Sequence, residues 1–541
     1  MHRRLYGHIT ILIAAILFAA CNRVPDNTRY IPADATAVVG VNLKSLGRKI
    51  AWNLITGSRL YKEMQKQMSA QGSADAIKGI ENAGIDVANT FYAYTRSDTR
   101  FEGGNLRVAL LPLSDVQQWE QYVARIFPNA GVVVRNGYKE ANLGQDMYVG
   151  WDNKLLIIVN GWVVDGEGDG SVALLQAEMS RAFMVPSGSN IASNTRFDAL
   201  ARAGHDFSFW LNYGNLLTDI VGESEMEFNG VSVSSASWRD AVITLGLDFR
   251  KGKISGDVAY YLPAQVQEAT RDFGLVTVDK ELLDRIPKQK LDMLLAMHIS
   301  PAGVKKLMET AGLFGPLNVG LTTQGLDVDY VLDAFTGDMV IAMNNFSLGA
   351  ETHQEEFMGQ IVDYKQQKAS MNMTYAVKVN NYENFSRILE MTAGTRMMKS
   401  PDGYVLPLTW SDSLHLTLTK QYAVMSNMRS YATGIPAGDY KNTRFNAGIS
   451  DKIYGSPFSL YFDIRQMLGM VDPAVSNSPR DSAIISESKK LLESAAIFGG
   501  NYIDNAYKFS IEINFLDKDE NSILELIDFG MRMNQLSQME E

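Results

Sequence analysis

The side chains that carry most enzyme and metal chemistry are few and scattered in this 541-residue chain. The six histidines are His2, His8, His205, His298, His353 and His415. No HExxH motif or other close pairing joins them, so the spacing offers no zinc site. His298 and His415 fall in apolar or alternating stretches, where a hydrogen-bonded structural histidine is expected. No GxSxG elbow, phosphate-cradling loop or dinucleotide fingerprint occurs. Two DFG triplets, ending at Gly274 and Gly530, lack the glycine-rich loop, strand lysine and catalytic loop that a kinase requires. The sharpest local pattern is "VDGEGDGSVALLQAE" from Val164. Asp165, Glu167 and Asp169 alternate ahead of Gly170, as the first oxygen ligands of a calcium loop do. The twelfth position is Gln176, where such a loop needs a bidentate Glu. The stretch therefore reads as an acidic turn between a strand and a helix, and no metal or cofactor is expected.

The elements that would have to position any such chemistry are set first by composition. At 541 residues, 46% hydrophobic and 21% charged, the chain is globular and too long for one ordinary core, so two or more domains are expected. Its net charge of −11, without a basic stripe, makes it a poor binder of phosphate backbones, and nucleic acid is not an expected partner.

The N-terminus has a composition of its own. Arg3 and Arg4 precede a ten-residue apolar run, Ile9 to Phe18, which has the length of a signal-peptide core and is too short to span a bilayer. Ala19, Ala20 and Cys21 follow, and Cys21 is the single cysteine of the chain. Small residues before a lone cysteine at the end of such a run resemble the lipobox of bacterial lipoproteins. The resemblance implies removal of residues 1–20 and lipid attachment to Cys21. That cleavage would remove only the two positive charges of Arg3 and Arg4, taking the net charge from −11 to −13. The lipid would be the only membrane anchor, and no thiol would remain for a disulfide, a nucleophile or a metal site. Residues 21–29 read as a polar tether without an acidic run after the cysteine, which favours an outer-membrane position facing the periplasm.

Four short matches recur in one order. They pair Ile31 with Ile286, Gly84 of "GIDV" with Gly325 of "GLDV", Asn194 of "NTRF" with Asn442 of the second "NTRF", and Asp272 with Asp528. Their offsets are 255, 241, 248 and 256 residues. Collinear matches at nearly constant spacing indicate an internal duplication. "DFSFWLNYGNLL" from Asp206 then aligns with "PFSLYFDIRQML" from Pro457, pairing Trp210 with Tyr461 and Asn212 with Asp463. Paired apolar alternations, "DMYVGWDNKLLIIVN" and "LHLTLTKQYAVMSN", predict a hairpin in each half.

Both halves also repeat a strand that ends at a short polar residue, where an amphipathic helix begins. The junctions are Asn42, Ser114, Asn212, Ser300, Asn381 and Asp463, each expected to be a helix N-cap rather than a catalytic group. "SDVQ" and "DIRQ" further suggest capping boxes. The expected fold is α+β: two tandem, internally duplicated lobes, each a largely antiparallel sheet with strand–helix units. Residues 30–274 would form the first lobe, 275–285 a linker, and 286–541 the second lobe.

The lipobox, the short tether and the opening "YIPADATAVVGVNLKSLGRK" resemble a family of Bacteroidetes lipoproteins defined as a domain of unknown function. The resemblance implies a membrane-anchored envelope lipoprotein and supplies no catalytic residues. The expected role is non-enzymatic, either binding an envelope protein or glycan partner or supporting assembly. The alternative is an envelope hydrolase of glycans or glycopeptides that uses an Asp/Glu pair.

Overall fold

In a computed structural model of the chain, the described residues are 26–49, 82–101, 105–144, 147–161, 169–221, 225–228, 231–234, 238, 240–310, 312–357, 360–393, 397–407, 413–445, 447–472 and 478–537. The architecture is α+β, and the chain divides into two compact units. The first comprises residues 1–219 with 244–248, and the second comprises 220–243 with 249–541.

Eight strands of the first unit are β1 (Ala37–Asn42), β2 (Thr90–Ser97), β3 (Asn105–Pro112), β4 (Val133–Val134), β5 (Lys139–Gly144), β6 (Met147–Trp151), β7 (Leu155–Asn160) and β8 (Phe207–Asn212). Their order is β4-β5-β6-β7-β3-β2-β1-β8, and every pairing is antiparallel. Alternation dictates the faces. In β3, Leu106, Val108 and Leu110 are buried while Asn105 and Arg107 are exposed. Gly40 in β1 is required by close approach, because a Cβ there would lie 2.4 Å from Ser208 Oγ and 2.8 Å from the Tyr92 ring.

Two of the described helices that pack on this sheet supply much of its core. The helix Val116–Ile126 buries Trp119, Tyr122 and Val123, the i, i+3, i+4 spacing of one helical face. Trp119 stacks on Tyr122 and meets Trp151 of β6 edge-on at 6.2 Å. The helix Asp169–Phe183 buries Leu175, Met179 and Ala182.

The second unit contains a two-stranded ribbon of β9 (Glu225–Phe228) and β10 (Val231–Ser234). After β11 (Val242–Arg250) and β12 (Lys253–Tyr261) come β13 (Leu291–His298), β14 (Phe335–Phe357), β15 (Gln360–Val379), β16 (Met398–Ser400), β17 (Gly403–Pro407), β18 (Ser413–Leu418), β19 (Tyr422–Ser426), β20 (Phe458–Phe462), β21 (Leu492–Ile503) and β22 (Ala506–Phe515). The sheet runs β16-β17-β18-β19-β15-β14-β13-β20-β21-β22-β12, again antiparallel throughout. In the first unit β8 continues to β11, whose residues 244–248 belong to that unit.

Counted outward from β1 and from β13, the two sheets follow the same course. The strands β2, β3, β7, β6, β5 and β4 on one side of β1 match β14, β15, β19, β18, β17 and β16 beside β13. On the other side, β8 followed by β11 matches β20 followed by β21. The paired motifs occupy like places in this order. Trp210 lies opposite Val38 of β1, and Tyr461 lies opposite Leu294 of β13. Gly84 and Gly325 both adopt left-handed φ, 71° and 73°, which explains why glycine recurs there. The expected hairpins are β6–β7 and β18–β19.

The two NTRF copies share an anchor and differ in cap. Phe197 is 2% exposed and packs edge-on to Trp210 at 5.7 Å. Phe445 is 7% exposed in the second core, edge-on to Tyr454 at 5.8 Å. Asn194 accepts from the Arg196 and Phe197 amides and caps the helix Thr195–Ala203. The second copy runs from the end of a turn at Asn442 through irregular backbone ahead of the helix Ala447–Tyr454.

Residues 275–285, read from the sequence as a linker, include the helix Lys280–Arg285, N-capped by Asp279. Its Leu282 and Leu283 are fully buried in the second core, because adjacent leucines followed by Ile286 require an apolar partner.

The strands β14 and β15 are 23 and 20 residues long, far longer than β2 and β3. Only their base lies between β13 and β19. A bulge at Asn345, with φ 56°, separates this base from an outer ribbon that runs from Ser347↔Ser370 to Phe357↔Gln360.

Candidate functional site

A cleft of about 720 Å³ opens in the first unit between the N-terminal turn of the helix Val116–Ile126, the β4–β5 hairpin and the β6–β7 turn. Arg29, from the single-turn helix Asp26–Tyr30, closes one side. The charged lining consists of Arg29, Arg135, Lys139 and Lys154 against Glu120 and Asp152. Cations thus outnumber anions at this spot in a chain that is acidic as a whole.

Each charge has a distinct setting. Lys139 Nζ lies 2.7 Å from Glu120 Oε1, which also accepts from Trp151 Nε1 at 3.2 Å. The bond from Lys139 holds the Glu120 carboxyl below the usual carboxylate range. Arg135 Nε lies 2.6 Å from Oε1 of Glu140, a fully buried carboxylate on β5. Asp152 is spent on the turn, accepting from the Lys154 and Leu155 amides at 2.7 and 2.8 Å. The Lys154 ammonium has no ion pair or hydrogen bond among the described residues. Val134, 73% exposed, lines the cleft, and Val132 and Val133 just before it are 47% and 41% exposed.

The described residues singled out by sequence are not gathered around this cleft. His298 Nδ1 lies 2.9 Å from Oδ1 of the buried Asp338. Burial pushes the Asp338 carboxyl up, but bonds from His298, the Asp279 amide and Thr336 outweigh it and hold the group below its ordinary value. His205 Nδ1 lies 3.3 Å from Asp248, and its ring fills the space beside Gly246. His353 Nε2 lies 3.8 Å from the exposed Glu351. His415 lies in β18 opposite Val405 and Ser426. Each of the four described histidines has its own structural setting, and no two share one.

Five of the six junction residues cap helices as expected. The side-chain oxygens of Asn42, Asn212, Ser300, Asn381 and Asp463 accept from the amides of Ser45, Asn215, Gly303, Asn384 and Gln466. Ser114 does not. The cap there is Asp115, which accepts from the Gln117 and Gln118 amides, whereas Ser114 Oγ donates to the Gly84 carbonyl. The carboxylate, one residue closer to the first turn, is the acceptor that geometry favours. Neither expected capping box forms. Gln466 donates instead to Asp292 at 2.6 Å, and the Asp463 amide bonds the Asp292 carbonyl.

Asp165 and Glu167 of the acidic triad lie outside the described residues, as does Cys21, and of Asp169 only the backbone, at a helix start, is described. Gln176 donates to the buried Glu140 at 2.6 Å, so this residue at the twelfth loop position is a buried-charge partner. Among the described residues no group of three or more His, Cys, Asp or Glu is arranged to hold a metal. No described helix is long and apolar enough to cross a membrane.

Glu525, in the helix Ser522–Ser537, gives a pH prediction. Burial first, then Asp517 and Glu520, push its carboxyl from 4.5 up to about 7. The folded state therefore holds the proton to higher pH than the unfolded state does. Stability contributed by this group is present below pH 4.5 and falls as pH rises toward 7. Glu525→Gln is expected to flatten that slope and raise the urea midpoint at pH 8. An equal or lower midpoint at pH 8 would contradict the assignment.

The chain belongs to the DUF4836 family, a domain of unknown function, whose model matches residues 27–445. No curated protein matches it. Solved structures of TP0453 are similar at low level. Crystal form III has 10% identity and a TM-score of 0.26, covering 49% of this chain and 88% of that one. Crystal form I has 11% identity and a TM-score of 0.25, covering 44% and 80%. Likeness at this level carries no functional weight.

Proposed function

We propose that this protein is a lipid-anchored envelope protein that binds a partner or supports an assembly, without catalysis of its own. The reading rests on one observation, the Arg3-to-Cys21 segment, with its basic start, ten-residue apolar run and small residues ahead of a lone cysteine. Cys21 carries the lipid, residues 1–20 are removed, and the protein faces the periplasm from the outer membrane. The polar residues at the strand–helix junctions support the non-catalytic part of this reading, because their side chains are occupied by backbone amides. The matching strand order supports descent of the two halves, 30–274 and 286–541, from one duplicated unit.

Replacing Cys21 by alanine is expected to abolish fatty-acid labelling and release the protein from membranes. Retained labelling would refute the anchor. Co-purification from detergent-solubilised envelope then separates the two roles: a stoichiometric protein partner indicates assembly, and a bound glycan indicates recognition.

A further inference from the structure

We infer that the cleft of the first unit receives the anionic headgroup of a phospholipid in the membrane that holds the protein's own anchor. This rests on lipid attachment at Cys21 and adds the surface through which the folded unit meets the bilayer.

Three observations converge on a headgroup. The first is charge. Arg29, Arg135, Lys139 and Lys154 converge on one concavity, and the Lys154 ammonium has three donors with no protein acceptor among the described residues. The helix terminus nearby is already capped by Asp115, so the side chains supply the positive charge. An ammonium that has no carboxylate partner, beside a lysine and an arginine that do, suits a phosphate better than a neutral sugar.

The second is the lip. Val132, Val133 and Val134 expose apolar surface directly ahead of Arg135. Apolar side chains next to basic ones match a bilayer interface, where the valines meet the acyl boundary and the cations meet phosphate. A free soluble phosphate would use the cations and leave the valines exposed to water.

The third is reach. Arg29 follows Cys21 by eight residues, which fully extended span at most about 28 Å. The cleft wall that Arg29 forms is therefore leashed close to the headgroup layer. A cavity of about 720 Å³ is large enough for a phosphate with its glycerol ester.

The test titrates the full chain, in neutral detergent, with short-chain phosphatidylglycerol, short-chain phosphatidylcholine and inorganic phosphate, read by calorimetry. Saturable binding of phosphatidylglycerol is expected, with none for phosphatidylcholine. Lys154→Glu should weaken the binding by roughly tenfold or more, since it reverses one charge at the site. Val134→Ser should weaken phosphatidylglycerol binding further than it weakens phosphate binding. If Lys154→Glu does not fold by circular dichroism, Lys154→Gln replaces it. The inference is overturned if phosphatidylglycerol fails to bind, if Lys154→Glu binds it unchanged, or if inorganic phosphate binds as tightly as the lipid. Fatty-acid labelling of Cys21 is read separately, so failure of the anchor and failure of the cleft are distinguishable.

Discussion

Replacing Phe197 by alanine is expected to lower the unfolding free energy of the first unit by about 3–5 kcal/mol, and Phe445→Ala to do the same in the second. Both rings are almost fully buried and make an edge-on aromatic contact, with Trp210 and Tyr454 respectively. Truncation removes the transferred apolar area and leaves a ring-sized cavity among strands that cannot collapse into it. Arg196 and Arg444, one position earlier, are half-buried and exposed, and alanine there should cost under about 1 kcal/mol. Guanidinium denaturation of the four variants is the measurement. A loss below about 1 kcal/mol at either phenylalanine would show that the NTRF segment is not a core anchor.

The second large effect is expected at Arg285. Its guanidinium donates to the carbonyls of Ile435 and Pro436, at the C-terminal end of the helix Arg429–Ala437, at 3.3 and 2.5 Å. It also donates to Glu281 at 2.8 Å and lies 4.5 Å above the Tyr422 ring. Bonds from Arg285 and then Lys441 hold the Glu281 carboxyl down at about 2. Arg285→Ala leaves two helix-end carbonyls without this partner and is expected to cost about 3–5 kcal/mol. Arg285→Lys should recover little, because one ammonium cannot supply both the fork and the planar stack. Full stability in the lysine variant would show that charge alone matters at this position.

The sequence carried the sheets further than it carried the site. Alternation located β6–β7 and β18–β19, and the strand-ending Asn, Ser and Asp residues located five caps, because both signals are local and set by backbone chemistry. Ser114 was misplaced by one residue, since "SD" offers two acceptors and only the three-dimensional path selects Asp115. Repeated glycines were legible as repeats, but the reason for them, a left-handed φ, required coordinates. The cleft was not legible. Arg29, Arg135, Lys139 and Lys154 are spread over 126 positions and converge only through strand pairing. Nor does composition reveal that Gln176 serves the buried Glu140 on a strand 36 residues earlier. The extended ribbon is not legible because its outer half, "AETHQEEF" against "QIVDYKQQ", is mostly polar and shows no apolar alternation on either strand.

That ribbon bears on the order in which the second unit folds. Its eighteen paired positions all lie either side of one two-residue connection in the sequence, so each pair adds to the last without a new long-range loop. Hairpins of this kind form in roughly 1–10 μs. The pairing of β13 with β20, by contrast, joins Met293 to Phe462, 169 residues apart, and must await a far costlier closure. The base of the ribbon presents two finished edges, one for β13 and one for β19. The second unit thus carries a preassembled template at its centre, on which its distant strands can dock one after another.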